Sequence, residues 1–279
     1  MNRVLTVIHL TLHEAARKRV LLAAVLLGVS FVALDAVGFH YIVRGFRGRT
    51  GALALAQARF TFATFTLAGL YAVHFLTAMA AVLLPIDTLS GEIESGVMQT
   101  LASKPIRRAE IVLGKWTAYA LVVAAYQALI ATGVLLVARG TAHYVPPHVV
   151  RGLSLLELAA VALVSLSIAG GTRLATVTNG MLAFGLYGLA FIGGWVEQIG
   201  ALTHNDGARN VGTIASLVMP TEALWQLAAH HMQPQLFAQM MATPFSPASV
   251  PSGAMVVWAG GWTLVVLAAA LRGFAKRPL

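Results

Sequence analysis

Six long apolar runs set the frame of this chain: residues 20–43, 60–84, 111–138, 152–168, 180–199 and 253–271. The first, as a helix rising about 1.5 Å per residue, reaches roughly 36 Å, enough to cross a bilayer with some tilt. A helix that is apolar on every side has no face to offer water, so it belongs in lipid or in a large core. Composition decides between the two. The chain of 279 residues is 58% hydrophobic and 10% charged, against about 45–50% and about 25% in a soluble domain. The expected fold is therefore all-α: one transmembrane domain over 1–279 with six membrane-spanning helices.

The formal net charge of +9 would ordinarily raise nucleic acid as a partner. Here the basic residues cluster beside the apolar runs, where membrane orientation and anionic headgroups account for them. The bilayer is the expected partner and nucleic acid is not. With no Cys in the chain, a disulfide framework and a thiolate metal site are both excluded.

Residues 1–19 repeat apolar side chains at helical spacing (Val4, Ile8, Leu12, Ala15) beside Arg3, Arg17, Lys18 and Arg19. This suits a helix lying in the membrane interface and leading into the first span. A signal peptide is the rival reading. Its apolar region would be about 7–15 residues, shorter than 20–43, and no Ala-x-Ala site follows closely, so a retained anchor is expected. Asp35 falls in the distal half of the first span, where it either faces a helix interface or wet cavity or snorkels to the rim. The loop 44–59 carries Arg44, Arg47 and Arg49 between glycines, a run that suits an exposed linker or phosphate contacts. The Thr-rich second span holds His74, and its hydroxyls can bond their own backbone.

The region 201–252 is too polar to span. Ile214, Leu217, Val218, Leu224, Trp225 and Ala228 suggest an amphipathic face on short helices at the membrane surface, external in this topology. His204, His230, His231, Met232, Met240 and Met241 are either soft metal ligands of the copper-binding kind or packing residues, and packing is expected because no spacing among them is diagnostic. Six spans place both ends of the chain on one side. With that side cytoplasmic, twelve of the 19 Lys and Arg lie inside and seven outside, as the positive-inside rule requires.

Enzymatic motifs are missing. The single Gly-Lys, Gly114-Lys115, is followed by Trp116 and preceded by Ala109 where a Walker A loop needs its first Gly, so ATP is not bound by that route. There is no His-Glu-x-x-His and no Gly-x-Ser-x-Gly. What remains is the polar stretch 85–115 between the second and third spans. It concentrates Asp87, Glu92, Glu94 and Glu110 with Lys104, Arg107, Arg108 and Lys115. It is far longer than the usual connection of about 4–6 residues, and such length marks function more often than linkage.

The stretch reads Asp87, then Ser90-Gly91-Glu92, Glu94, Gly96, Leu101, Lys104-Pro105, Arg107 and Gly114-Lys115. It resembles the cytoplasmic signature of ATP-binding cassette (ABC) transporter permeases of the type-2 exporter family, and in particular the branch containing the permease of the nitrous-oxide-reductase maturation transporter. Val97 departs from the Thr common in that pattern. The resemblance implies a permease subunit in the cell inner membrane, with both termini cytoplasmic. It implies a second permease copy and two ABC ATPase subunits that carry ATP and Mg, none of which this chain would bind itself. It implies that 87–104 is a coupling helix, within a coupling segment 85–110, seated on the ATPase through Asp87, Ser90, Gly91, Glu92, Glu94, Gly96, Leu101, Lys104, Pro105 and Arg107. Arg173, in the second cytoplasmic break, is a candidate minor contact. The glycines of the fifth span, or the apolar stripe of the N-terminal helix, would supply the seam between permease copies. The rival classes are an intramembrane enzyme, for which Asp35, His74 and Glu157 form no known motif, and a non-transporting anchor or sensor. No residue pattern selects the substrate.

Overall fold

The computed structural model describes residues 3–94, 96, 107–234, 245, 247 and 249–277, with the backbone alone at Glu94. Among the described residues ten helices follow in order: α1 (Arg3–Arg17), α2 (Arg19–Phe46), α3 (Ala52–Leu83), α4 (Ser90–Glu94), α5 (Arg108–Ala142), α6 (Val149–Gly171), α7 (Thr176–Leu202), α8 (Asp206–Val218), α9 (Thr221–Met232) and α10 (Ala254–Ala275). Six of them, α2, α3, α5, α6, α7 and α10, are long and apolar enough to cross a membrane. They overlap the six apolar runs and extend most of them by a turn or so, because polar residues at the rims continue the helix once its apolar centre is fixed.

α3 and α6 are the most buried spans, and α2 and α10 the least. The exposed side chains of the outer spans are apolar, among them Leu22, Leu26 and Leu34 on α2 and Val257, Leu264 and Val265 on α10. Such surfaces are unfavourable in water and neutral in lipid. The core includes small residues on both, Ala78, Ala80 and Ala81 on α3 and Ala159, Ala160 and Ala162 on α6, of the kind that lets helix backbones approach closely.

α1 packs along α5, with Val7, Thr11 and Ala15 turned inward. Val7 sits where a Cβ on Gly114 would stand, 2.6 Å from it, so α5 needs glycine there. Asp35 is buried at 4% exposure. Its Oδ1 lies 3.1 Å from the position a Cβ on Gly69 would take, so it faces α3 rather than the membrane rim. Thr61 and Thr66 bond the carbonyls of Gln57 and Phe62 one turn back, at 2.9 and 2.8 Å, the local use expected of membrane threonines.

The region after α7 differs from expectation. α8 and α9 are short helices, but they do not share an apolar face: Ile214, Leu217 and Val218 are exposed, whereas Leu224, Trp225 and Ala228 are buried. The break at Met219-Pro220 turns α9 inward while α8 doubles back along α7. Gly193, Gly194 and Gly200 of α7 are consumed in this packing, against Ala215, Glu222 and Ala208. His204 and His230 are exposed, Met232 packs against Gly152, and Met240 and Met241 lie outside the described residues. Among the described residues no three His, Asp or Glu side chains gather as metal ligands.

Candidate functional site

The polar stretch leaves α3 and turns at once. Thr88 N–H donates to Pro85 O at 3.1 Å, Gly91 N–H to Asp87 O at 2.9 Å and Ile93 N–H to Leu89 O at 3.1 Å. These bonds build a short helical hook from Pro85 into α4. Gly96 N–H closes the last turn on Ile93 O at 3.2 Å, and Gly96 adopts φ +75°, a conformation that glycine reaches without strain. The single helix expected over 87–104 is therefore interrupted: α4 has five residues and ends at this glycine.

Side chains from α5, from α7 and from the junction of α1 and α2 hold the hook, and α6 braces the end of α3 that leads into it. Lys18, between α1 and α2, places its ammonium 2.6 Å from Asp87 Oδ1 and 3.6 Å from Glu14 Oε1. It also donates to Leu84 O at 3.4 Å and lies 5.5 Å from the centre of the Tyr119 ring. From α5, the Tyr119 hydroxyl accepts from Thr88 at 2.9 Å, and one turn earlier Lys115 meets Glu92 at 2.5 Å. From α6, the Ser167 hydroxyl donates to Val82 O at 3.1 Å. From α7, Asn179 donates to Ile86 O at 3.3 Å and to Ser167 O at 2.8 Å, and Thr176 shares a 2.7 Å hydrogen bond with Ser90.

The two ion pairs differ. The Asp87 side chain is 51% exposed, whereas Lys115 and Glu92 are 4% and 17% exposed. Burial pushes the Glu92 carboxyl up, and the Lys115 ammonium opposes that without cancelling it. Burial pulls the Lys18 ammonium down, but Tyr119 and Asp87 outweigh it and hold Lys18 above the usual lysine range. The hook is thus anchored by charge at the α1–α2 junction and at α5, by neutral hydrogen bonds at α7, and covalently by α3, whose end is itself held by α6.

The same end of the bundle collects the other polar breaks. Arg107 caps α5, its N–H held by the Glu110 carboxylate at 2.8 Å. Arg108 donates to Ala275 O at 3.1 Å and to Arg277 O at 2.6 Å, closing the last turn of α10. Arg277 in turn donates to Thr172 O at 2.6 Å at the end of α6, and Arg173 beside it is exposed.

Of the residues predicted for this site, Asp87, Ser90, Gly91 and Glu92 come together on the hook, Gly96 follows it, Glu94 ends α4, and Arg107 stands apart as the cap of α5. A Cβ on Gly91 would meet Asp87 Cβ at an ordinary 3.6 Å, so packing does not require glycine there. Leu101, Lys104 and Pro105 lie outside the described residues. Sequence reasoning missed Lys18, Thr88, Tyr119, Thr176 and Asn179. The i, i+4 spacing of Lys115 and Tyr119 was a usable signal, since it sets both on one face of α5. Nothing local marked Asn179.

Six membrane-length helices with a polar hook held at one end define a polytopic helical membrane protein. The chain belongs to the ABC-2 family transporter proteins, whose family model matches residues 5–279. It is also similar, at 34% identity over 125 residues, to a protein of Stutzerimonas stutzeri described as a probable ABC transporter permease protein NosY. That similarity spans 44% of this chain and 41% of the relative.

Proposed function

We propose that the chain is the membrane permease subunit of an ABC transporter, moving a substrate across the cell inner membrane in the outward direction. ATP hydrolysis belongs to a separate ATPase subunit, because the chain lacks a Walker A loop. One observation carries this reading: the hook of residues 85–94 is tied at once to the α1–α2 junction, α5 and α7, while α6 bonds the end of α3 directly before it. A displacement applied to such a hook moves the spans as packed bodies rather than bending one loop. The contact surface for the ATPase is Asp87, Glu94 and the hook around them, continued by the stretch through Leu101, Lys104, Pro105 and Arg107, with Arg173 at its margin. Ser90 and Glu92 serve from within, holding the hook to α7 and α5. Gly96 supplies the bend.

The working unit has two permease copies and two ATPase subunits, which bind ATP and Mg between them, and both termini of this chain face the cytoplasm. On α7, Gly185 and Gly188 have nothing from other elements within 4 Å of a Cβ position among the described residues. The apolar stripe of α1 is already turned onto α5, so the open face of α7 is the better-supported seam.

Co-expression with a Walker A ATPase encoded beside this chain tests the reading. The two subunits should co-purify, and Glu94→Lys should reduce the captured ATPase while leaving the Lys115–Glu92 pair intact. A permease that shows no nucleotide-dependent association with such an ATPase would remove the basis for this function.

A further inference from the structure

α9 lies away from the hook and is unusual in its burial. Its 12 residues are too few to cross a bilayer, yet Thr221 through Ala229 are buried without interruption. The helix is packed into protein by α3, α6, α7, α8 and α10. Glu222, at 5% exposure, stands in this dry setting. Tyr71 of α3 donates its hydroxyl to Glu222 Oε1 at 3.3 Å, and the backbone of α7 at Gly194 presses on the Glu222 stem so closely that no Cβ fits. The surrounding walls are aromatic: Trp225 lies 4.8 Å from Tyr71 and 5.9 Å from His74, centre to centre.

No cation among the described residues pairs with Glu222. The titratable groups on its side are Tyr71 and His74 from α3 and Tyr187 from α7, and only the Tyr71 hydroxyl bonds the carboxyl. Elsewhere on the elements around α9, Glu197 of α7 accepts from Ser249 at 2.8 Å, Arg209 and Asp206 of α8 pair at 3.6 Å, and α6 carries Arg151 and Glu157. Arg272 lies in the last turn of α10, and His230 and His231 in that of α9. On α9 the buried polar atoms Glu222 Oε2, Thr221 Oγ1 and both amide atoms of Gln226 lack hydrogen-bond partners among the described residues, as does Nε2 of His74, whose ring stacks on Trp225.

We propose that Glu222 is a proton-binding site: its carboxyl holds a proton while α9 is packed against α3 and α7, and gives it to water when α9 lifts. An unpaired carboxylate is strongly disfavoured in such surroundings. The protonated oxygen instead brings a donor into a layer that holds unpartnered acceptors. Burial pushes the Glu222 carboxyl from 4.5 up to about 8, against the pull of the Tyr71 hydrogen bond. Because the value is raised in the packed state, its contribution to seating α9 is fully present below about 4.5 and is lost as pH rises through about 8. Between those two values each unseating of α9 releases one proton to water.

Infrared difference titration of the chain in phosphatidylcholine nanodiscs tests this. A protonated-carboxyl band should persist at neutral pH, disappear with a midpoint near 8, and be absent in Glu222→Gln. Tyr71→Phe removes a hydrogen bond to the ionised form and should move the midpoint up by about one unit. If Glu222→Gln fails to fold, the Tyr71→Phe shift decides, together with wild-type hydrogen exchange. Amide protection in α9, corrected for intrinsic base catalysis, should fall progressively above about 4.5 and level off near 8. A Glu222 band that titrates near the ordinary glutamate value of about 4.3, an unmoved midpoint in Tyr71→Phe, or pH-independent protection of α9 would each overturn the proposal.

Discussion

Replacing Lys115 by Met removes one partner of the most buried ion pair described here. The ammonium side chain is 4% exposed and the Glu92 side chain 17% exposed, with 2.5 Å between them. Breaking a buried pair from one side costs about 3–5 kcal/mol, because the remaining charge keeps its desolvation penalty without its partner. Glu92 retains some contact with water and can take up a proton, so the expected loss is near the lower end, about 3 kcal/mol. The double variant Lys115→Met with Glu92→Gln leaves no buried charge, and most of that loss should be recovered. Reversible unfolding of the detergent-solubilised protein in a denaturant series gives the stabilities. Protease access to residues 85–107 reads the hook itself and should rise in the single variant and fall back in the double. A single-variant cost below about 1 kcal/mol, the range of exposed surface pairs, would refute the reasoning. So would a double variant as unstable as Lys115→Met alone, because the pair would then not be holding the hook.

The remaining predictions concern topology, packing and assembly. The chain has no Cys, so single cysteines at Ser103 and Asn205 report without background; an impermeant thiol reagent should reach them from opposite sides of the membrane, with Ser103 cytoplasmic. Labelling of both from one side would remove the six-span topology. Gly194→Ala inserts a methyl group against the Glu222 stem; overpacking of this kind costs about 1–3 kcal/mol, visible as a lower unfolding midpoint, and an unchanged midpoint would mean that α7 and α9 are not in contact. Gly188→Leu starts from a position with nothing from other elements beside its Cβ among the described residues, so monomer stability should hold while native mass measurement of the complex shows loss of the second permease copy; an intact assembly would move the seam off this face of α7.

Hydropathy alone determined the architecture. Six apolar runs demand lipid, and in lipid a backbone must satisfy its hydrogen bonds within each segment, so helices follow from composition without any knowledge of packing. The position of the polar hook was also legible, since Asp87, Glu92 and Glu94 crowd charge between two apolar runs. What the one-dimensional pattern did not carry was pairing. Glu92 reads as a carboxylate offered outward, and only the approach of α5 shows it facing Lys115. Lys18 reads as a membrane-flanking charge, and only the fold carries it to Asp87, 69 positions further along the chain. Asp35 and Glu222 read as interruptions of apolar sequence, and the packing of α3, α7 and α9 decides that both are buried. Burial and pairing depend on which helices become neighbours, a relation between residues far apart in the chain. Span formation depends only on residues a few turns apart, which is why the sequence determined the helices and the tertiary structure determined their partners.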